Sequence, residues 1–197
     1  IMGTLSIAES GMGVAIIFSM YKHIVQKNVD EVSALYYLYR KIYKYIALII
    51  IVIGLSLTPL IPYLAKDYIG SISIYKTYTM MVIATSITYF FAGQISLFNA
   101  HKNNYIGSII NAIGQIVQSI VQIITLVVYK SFDLYILAII IGNVVQWLIT
   151  VTVYKIKYKH TITINKKISI ETKTEIKKNM LAMISHKVGG TLVVSIN

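Results

Sequence analysis

The chain of 197 residues has no cysteine, two prolines and only seven acidic residues. The absence of cysteine excludes disulfide bonds and metal sites built from thiolates. Charged residues of both signs make up 13% of the chain, whereas hydrophobic residues make up 56% and the mean hydropathy is +0.71. Because this composition is far more apolar than that of soluble domains, we expect a membrane protein.

Long apolar stretches divide the chain. Each complete stretch has about 20 residues or more, which is enough for an α-helix to cross a hydrocarbon core of about 30 Å. The predicted fold is therefore all-α, a polytopic transmembrane helical bundle. Its five complete spans are residues 1–21, 43–65, 77–98, 105–129 and 133–154. A basic, amphipathic cytoplasmic connection is predicted at 155–179, and residues 180–197 are predicted to begin a further transmembrane helix. Since the chain begins and ends within apolar runs, we expect a fragment of a longer protein.

Basic residues give the chain a formal net charge of +11 and lie mainly between the apolar stretches. The connections at 21–44, 99–104 and 155–179 hold fourteen lysines and arginines, whereas the turns at 63–76 and 129–133 hold three. The positive-inside rule places the richer side in the cytoplasm, which predicts a multi-pass protein of the cytoplasmic (plasma or inner) membrane. Anionic headgroups of the phospholipid bilayer are expected partners of these lysines. No nucleic acid is expected, because the lysines do not form a stripe with interleaved aromatic residues.

Four amide side chains share one face of the predicted 105–129 helix: Asn111, Gln115, Gln118 and Gln122. At 100° per residue they fall within an arc of about 60°, and isoleucines and valines occupy the opposite face. An amide without a partner is costly in hydrocarbon, so this face needs protein partners or water. The row predicts a substrate cavity. Interhelical hydrogen bonding, which needs no substrate, is the alternative.

Other polar side chains also lie within apolar runs. Asn143 and Gln146 share a face of the 133–154 helix, and we assign them to the same cavity. Glu9 is the only acidic residue well inside an apolar run. This position favours a role in coupling or gating, with a structural ion pair or a protonated acid as the alternative. Lys187, in the last apolar stretch, either binds an anion such as a pyrophosphate or extends to the membrane interface.

Nothing in the sequence predicts catalysis or a bound metal. His23, His101 and His160 lie in separate connections without the spacing of metal ligands. No nucleophile accompanies a base, and no two acidic residues form a catalytic pair. We therefore expect neither an enzyme nor a cofactor.

Three segments carry a resemblance to a known family. They occur in the family's order and are distributed along nearly the whole chain, from residue 8 to residue 190. Residues 8–22 contain Ala-Glu-Ser-Gly-Met-Gly and Ser-Met-Tyr-Lys, and residues 102–105 are Lys-Asn-Asn-Tyr, followed by the amide-rich helix. Residues 175–190 contain Glu-Ile-Lys-Lys-Asn and His-Lys-Val-Gly-Gly. These segments resemble the second helix, the fifth helix, and the cytoplasmic helix leading into the seventh span of Wzx-type lipid-linked oligosaccharide flippases. That family is the polysaccharide transporter branch of the multidrug/oligosaccharidyl-lipid/polysaccharide superfamily.

The resemblance implies a fold and a function. The chain would carry about helices two to seven, which is most of one lobe of a two-lobe, MATE-like transporter. The implied activity is the flipping of undecaprenyl-pyrophosphate-linked oligosaccharide by alternating access, for surface polysaccharides such as the O-antigen of lipopolysaccharide. Expected partners are the lipid-linked oligosaccharide, the second transporter half and the polysaccharide polymerase or assembly proteins. Lys187 would attract the pyrophosphate.

Several alternatives remain beside this function. A MATE-type antiporter of small-molecule or drug cations would need more intramembrane acids than Glu9, and a peptidoglycan-precursor flippase would need more cavity cations than Lys187. A membrane-embedded glycosyltransferase or polymerase would need acidic or arginine-rich outer loops, whereas the predicted outer turns are short and nearly uncharged. A purely structural membrane anchor would not need the amide row.

Overall fold

The computed structural model describes residues 2–64, 73–163, 168–179 and 182, with the side chains of 2–13, 62 and 64 left aside. All regular elements within those ranges are helical, which confirms the all-α prediction. In chain order they are α1 (Met2–Val25), α2 (Val29–Ser56), a 3-10 turn (Thr58–Leu60), α3 (Ile61–Leu64), α4 (Ile74–Ala100), α5 (Asn104–Val127), α6 (Phe132–Lys157) and α7 (170–179).

The long helices have the length and composition of membrane spans. Four helical segments are long and apolar enough to cross a membrane: Val29–Leu60, Ile74–Ala100, Asn104–Val127 and Phe132–Lys157. Each of them overlaps one predicted span, and α1 (Met2–Val25) overlaps the first, at 1–21. Large apolar side chains on the outer faces of these helices stay exposed, among them Leu48, Ile116 and Leu148. An exposed apolar surface of this kind suits lipid and indicates a membrane protein.

Two connections between helices use the same short turn. Lys27 and Lys102 follow the ends of α1 and α4 and take the left-handed conformation, with φ of 57° and 60°. The next backbone N–H in each turn, that of Asn28 or Asn103, donates to a helix carbonyl five residues earlier at 2.9 Å. This is the Schellman arrangement, in which glycine usually takes the left-handed position. Each asparagine is then the N-cap of the following helix, so only three residues separate the two helices of each pair.

Helix α2 begins well before the predicted end of the connection at 21–44. The Asn28 side chain accepts a hydrogen bond from the Glu31 N–H at 3.2 Å and starts the helix there. The charged residues of the predicted connection, Arg40 and Lys44 among them, lie on the exposed face of α2. Residues 29–44 of this connection are therefore helical, with charge on one face of the helix and buried side chains on the other.

An aromatic-rich core lies at one end of the bundle, which we call the basic end: it holds the two Lys-Asn turns and residues 158–163 and 168–179. Tyr36 of α2 stacks on Tyr154 of α6, with ring centroids 5.3 Å apart. Phe98 of α4 stacks on Tyr158 at 5.1 Å. Because Tyr36, Phe98 and Tyr158 are nearly completely buried, these rings hold α2, α4 and α6 together at this end.

The segment after α6 folds back across the basic end. Its polar contacts with α1 and α2 include Thr163 N–H to Ser33 Oγ at 2.9 Å, Ser169 N–H to Glu31 Oε1 at 2.9 Å, and Lys22 Nζ to Glu175 Oε2 at 2.8 Å. The hydrogen bond to Glu175 raises the pKa of Lys22 above its ordinary value. Helix α7 lies within the predicted 155–179 connection, and the pair of Lys22 with Glu175 holds it beside α1.

Candidate substrate-binding face

Helices α5 and α6 carry matching pentapeptides at their closest approach. Residues 114–118 are Gly-Gln-Ile-Val-Gln, and residues 142–146 are Gly-Asn-Val-Val-Gln. The two helices are antiparallel, so the glycine of each faces the second amide of the other. A Cβ atom built on Gly114 would lie 2.2 Å from Gln146 Cγ, and one built on Gly142 would lie 2.9 Å from Gln118 Cβ. Only glycine leaves room for the facing glutamine, which brings the two backbones close together.

Asn143 and Gln146, which form a second amide row on α6, contact neighbouring helices. Asn143 Nδ2 donates to the Ala84 carbonyl oxygen of α4 at 2.8 Å. The Gln146 side chain is buried against Gly114 of α5, and the backbone carbonyl oxygen of Gln146 accepts a hydrogen bond from Thr150 Oγ1 within α6 at 2.7 Å. Asn143 therefore bonds α6 to α4, whereas Gln146 packs against α5. The bond of Asn143 favours interhelical hydrogen bonding, the alternative to a cavity, for that residue.

The first amide row lies along one edge of the buried face of α5. Asn111 and Gln115 are exposed, whereas Gln118 and Gln122 are half-buried. The helix packs inward through Gly107, Ile110, Gly114 and Thr125. Within the described residues the Asn111 and Gln115 side chains have no hydrogen-bond partner. The open half of the row therefore consists of two amides on a helix otherwise suited to lipid, and these two keep the capacity to bind a polar ligand.

The structure describes no side chain for two of the predicted site residues, Glu9 and Lys187. Glu9 belongs to the described part of α1, but its side chain does not. Lys187 and the predicted further span at 180–197 lie outside the described residues, apart from residue 182. The coupling role of Glu9 and the pyrophosphate role of Lys187 stay predictions.

The sequence pattern missed a second polar group, at the basic end. Arg40, Gln94, Lys155 and Lys159 come from different elements and line one pocket of about 250 Å³. One signal was available, because Gln94 is an amide within the apolar run of α4. The charged members were hidden among the many basic residues of the connections, since only the folded chain brings them together.

Comparison with protein-family models, with curated proteins and with solved structures finds no match. The function is therefore argued from the membrane-length helices and from the polar groups that they position.

Proposed function

We propose that the chain acts in a membrane transporter that flips a lipid-linked oligosaccharide, as in the Wzx-type flippases that its sequence resembles. One observation carries the proposal: among the described residues the exposed side chains of Asn111 and Gln115 have no hydrogen-bond partner, and they lie on α5, a helix long and apolar enough to cross a membrane. An unpaired amide in hydrocarbon is costly, so a polar ligand or water has to meet this face.

The chemistry of the open amides suits a neutral, hydroxyl-rich cargo. A carboxamide donates two hydrogen bonds and accepts two, and a sugar hydroxyl donates and accepts as well. Neither partner carries a charge, so the sugar can leave the site again without the cost of breaking an ion pair. The half-buried Gln118 and Gln122 continue the same edge of the helix. In the proposed transporter this edge faces the path of the oligosaccharide.

The proposed orientation puts the basic end in the cytoplasm, in accordance with the positive-inside rule. The row on α5 then runs from near the cytoplasmic surface towards the outer leaflet. Lys187 attracts the pyrophosphate on the cytoplasmic side, and Glu9 takes part in coupling or gating. Alternating access moves one lobe against the other, and the tight packing of α5 on α6 makes this pair a rigid part of its lobe.

The double substitution Asn111→Leu and Gln115→Leu tests the proposal in the cell. Both side chains are exposed, so the change leaves the packing of α5 on α6 intact while it removes two amide partners of the sugar. Surface polysaccharide, measured by immunostaining at equal protein level, is expected to fall about tenfold or more, because each lost hydrogen bond contributes about 1 kcal/mol.

The matched control keeps both amides and exchanges them, as Asn111→Gln with Gln115→Asn. This variant is expected to retain most of the surface polysaccharide. Normal polysaccharide in the leucine variant, at normal protein level, would contradict the proposed path along α5.

A further inference from the structure

A pocket of about 250 Å³ opens at the basic end where α2, α4 and α6 meet. It lies among the last turns of α4 and α6 and beside the aromatic core. Its lining residues are Tyr37, Arg40, Gln94, Val151, Tyr154, Lys155, Lys159 and Ile162. We call it the interfacial pocket, because these helices change there from apolar to basic sequence. It is separate from the amide row, none of whose residues lines it.

Three cations converge on the interfacial pocket. Arg40 comes from α2, Lys155 from the last turn of α6, and Lys159 from the turn that follows. Within the described residues none of the three forms an ion pair with a carboxylate, whereas Lys22 pairs with Glu175 and Lys76 with Asp133. Like charges held around one pocket without a counterion attract an anion.

A buried amide completes the pocket wall. Gln94 of α4 is only 3% exposed, and its Oε1 has no hydrogen-bond partner in the described part of the chain. The preceding residue, Gly93, lets α4 approach α2 closely, since a Cβ atom there would lie 3.3 Å from the Arg40 Cα. This close approach holds Gln94 beside Arg40. The Gln94 side-chain oxygen is an acceptor, so it can receive a hydrogen bond from a hydroxyl group of a lipid headgroup, such as the glycerol of phosphatidylglycerol, while the cations meet the phosphate.

We propose that the interfacial pocket binds the phosphate group of a membrane lipid in the leaflet at the basic end. The guanidinium of Arg40 matches two phosphate oxygens, and Lys155 and Lys159 add compact charges. The pocket also has apolar and aromatic walls, from Val151, Ile162 and the tyrosines, that suit the glycerol and upper acyl region next to the phosphate. This lipid is a bound component of the bundle, and the proposal does not depend on the transported cargo.

Binding of phosphatidylglycerol to the purified full chain, measured by native mass spectrometry from neutral detergent, tests the proposal. The variant Arg40→Gln, Lys155→Gln, Lys159→Gln is expected to bind about tenfold more weakly or worse, because it removes the charge-assisted contacts that the pocket makes with the phosphate. All three side chains are exposed, so the variant is expected to fold.

A matched control removes the same charge from the same end, with Lys41→Gln, Lys44→Gln and Lys177→Gln. These lysines are exposed and lie outside the pocket, and the affinity is expected to change by no more than about twofold. Gln94→Leu, which leaves every charge in place, is expected to weaken binding about fivefold. Equal losses in the pocket variant and the control would overturn the proposal.

Inorganic phosphate distinguishes a lipid from a soluble ligand. Free phosphate at the concentration of the lipid is expected not to displace phosphatidylglycerol, because it lacks the apolar part that the pocket walls contact. If free phosphate binds with the same dependence on Arg40, Lys155 and Lys159 while phosphatidylglycerol does not bind, the assignment to a lipid is wrong.

Discussion

Replacement of Tyr158 by alanine is expected to lower the free energy of unfolding by about 3–5 kcal/mol, the usual cost of removing a large buried aromatic side chain. Tyr158 is 3% exposed, its ring stacks on Phe98 at 5.1 Å, and it meets the edge of His101 at 5.0 Å. Its hydroxyl accepts a hydrogen bond from Asn103 Nδ2 at 2.7 Å. One side chain thus joins the end of α6 to the hairpin turn between α4 and α5.

Denaturant unfolding of the detergent-solubilised protein, followed by circular dichroism, measures this loss. Tyr158→Phe keeps the ring and removes only the hydrogen bond, so it is expected to cost about 1 kcal/mol. Tyr129→Ala removes a tyrosine that is 64% exposed and is expected to cost less than about 0.5 kcal/mol. If Tyr158→Ala destabilised the protein no more than Tyr158→Phe, the stacked ring would not hold the basic end together.

Gly114→Ala is expected to destabilise the packing of α5 on α6 by about 1–3 kcal/mol, because the added methyl group overfills a close contact. The new Cβ would lie 2.2 Å from Cγ and 2.4 Å from Nε2 of Gln146, whose side chain is itself buried. Either the glutamine leaves its place or the helices move apart. Trp147, the single tryptophan of the chain, lies next to Gln146 and reports the change by its fluorescence during thermal unfolding.

The steric cause of this effect can be tested by a second substitution. Gln146→Ala removes the atoms that the new methyl group would meet, so Gly114→Ala with Gln146→Ala is expected to recover part of the stability lost in Gly114→Ala. Gly107→Ala is the matched control, since a Cβ there has its nearest contact at an ordinary 3.4 Å, with Ile95. Losses that simply add in the double variant would contradict the proposed fit between Gly114 and Gln146.

The helices could be predicted from the sequence because apolar length is a local property. Each predicted span from 43–65 to 133–154 overlaps a helix that is long and apolar enough to cross a membrane. The start of α2 could not be placed in the same way, since charged residues such as Arg40 and Lys44 suggested a connection. Two features indicate the earlier start of α2 in spite of these charges: Asn28 is an N-cap residue, and the residues after it form a helix with one buried face.

The candidate site could be predicted only in part. The 100° rotation per residue aligned the amides of α5 on one edge, and Asn111 and Gln115 do lie exposed there. Which amides meet another helix depends on the register between α5 and α6, and the sequence of one helix does not contain that register. The interfacial pocket joins Arg40 to Lys155, far apart in the chain, so no local pattern predicts it.

The lysine of each Lys-Asn turn has two roles, one in the backbone conformation of the turn and one as a positive charge. Lys27 and Lys102 hold a left-handed conformation that costs an ordinary residue about 1–2 kcal/mol, and they also supply positive charge to the flanks of membrane-length helices. Substitution by glycine would relieve the strain while it removes a topogenic charge, so its effects on folding and on insertion would oppose each other. Asparagine also tolerates the left-handed conformation, so Lys27→Asn with Lys102→Asn would remove both charges and keep both turns. If these substitutions changed the orientation of the chain in the membrane, the cause would be the lost charge.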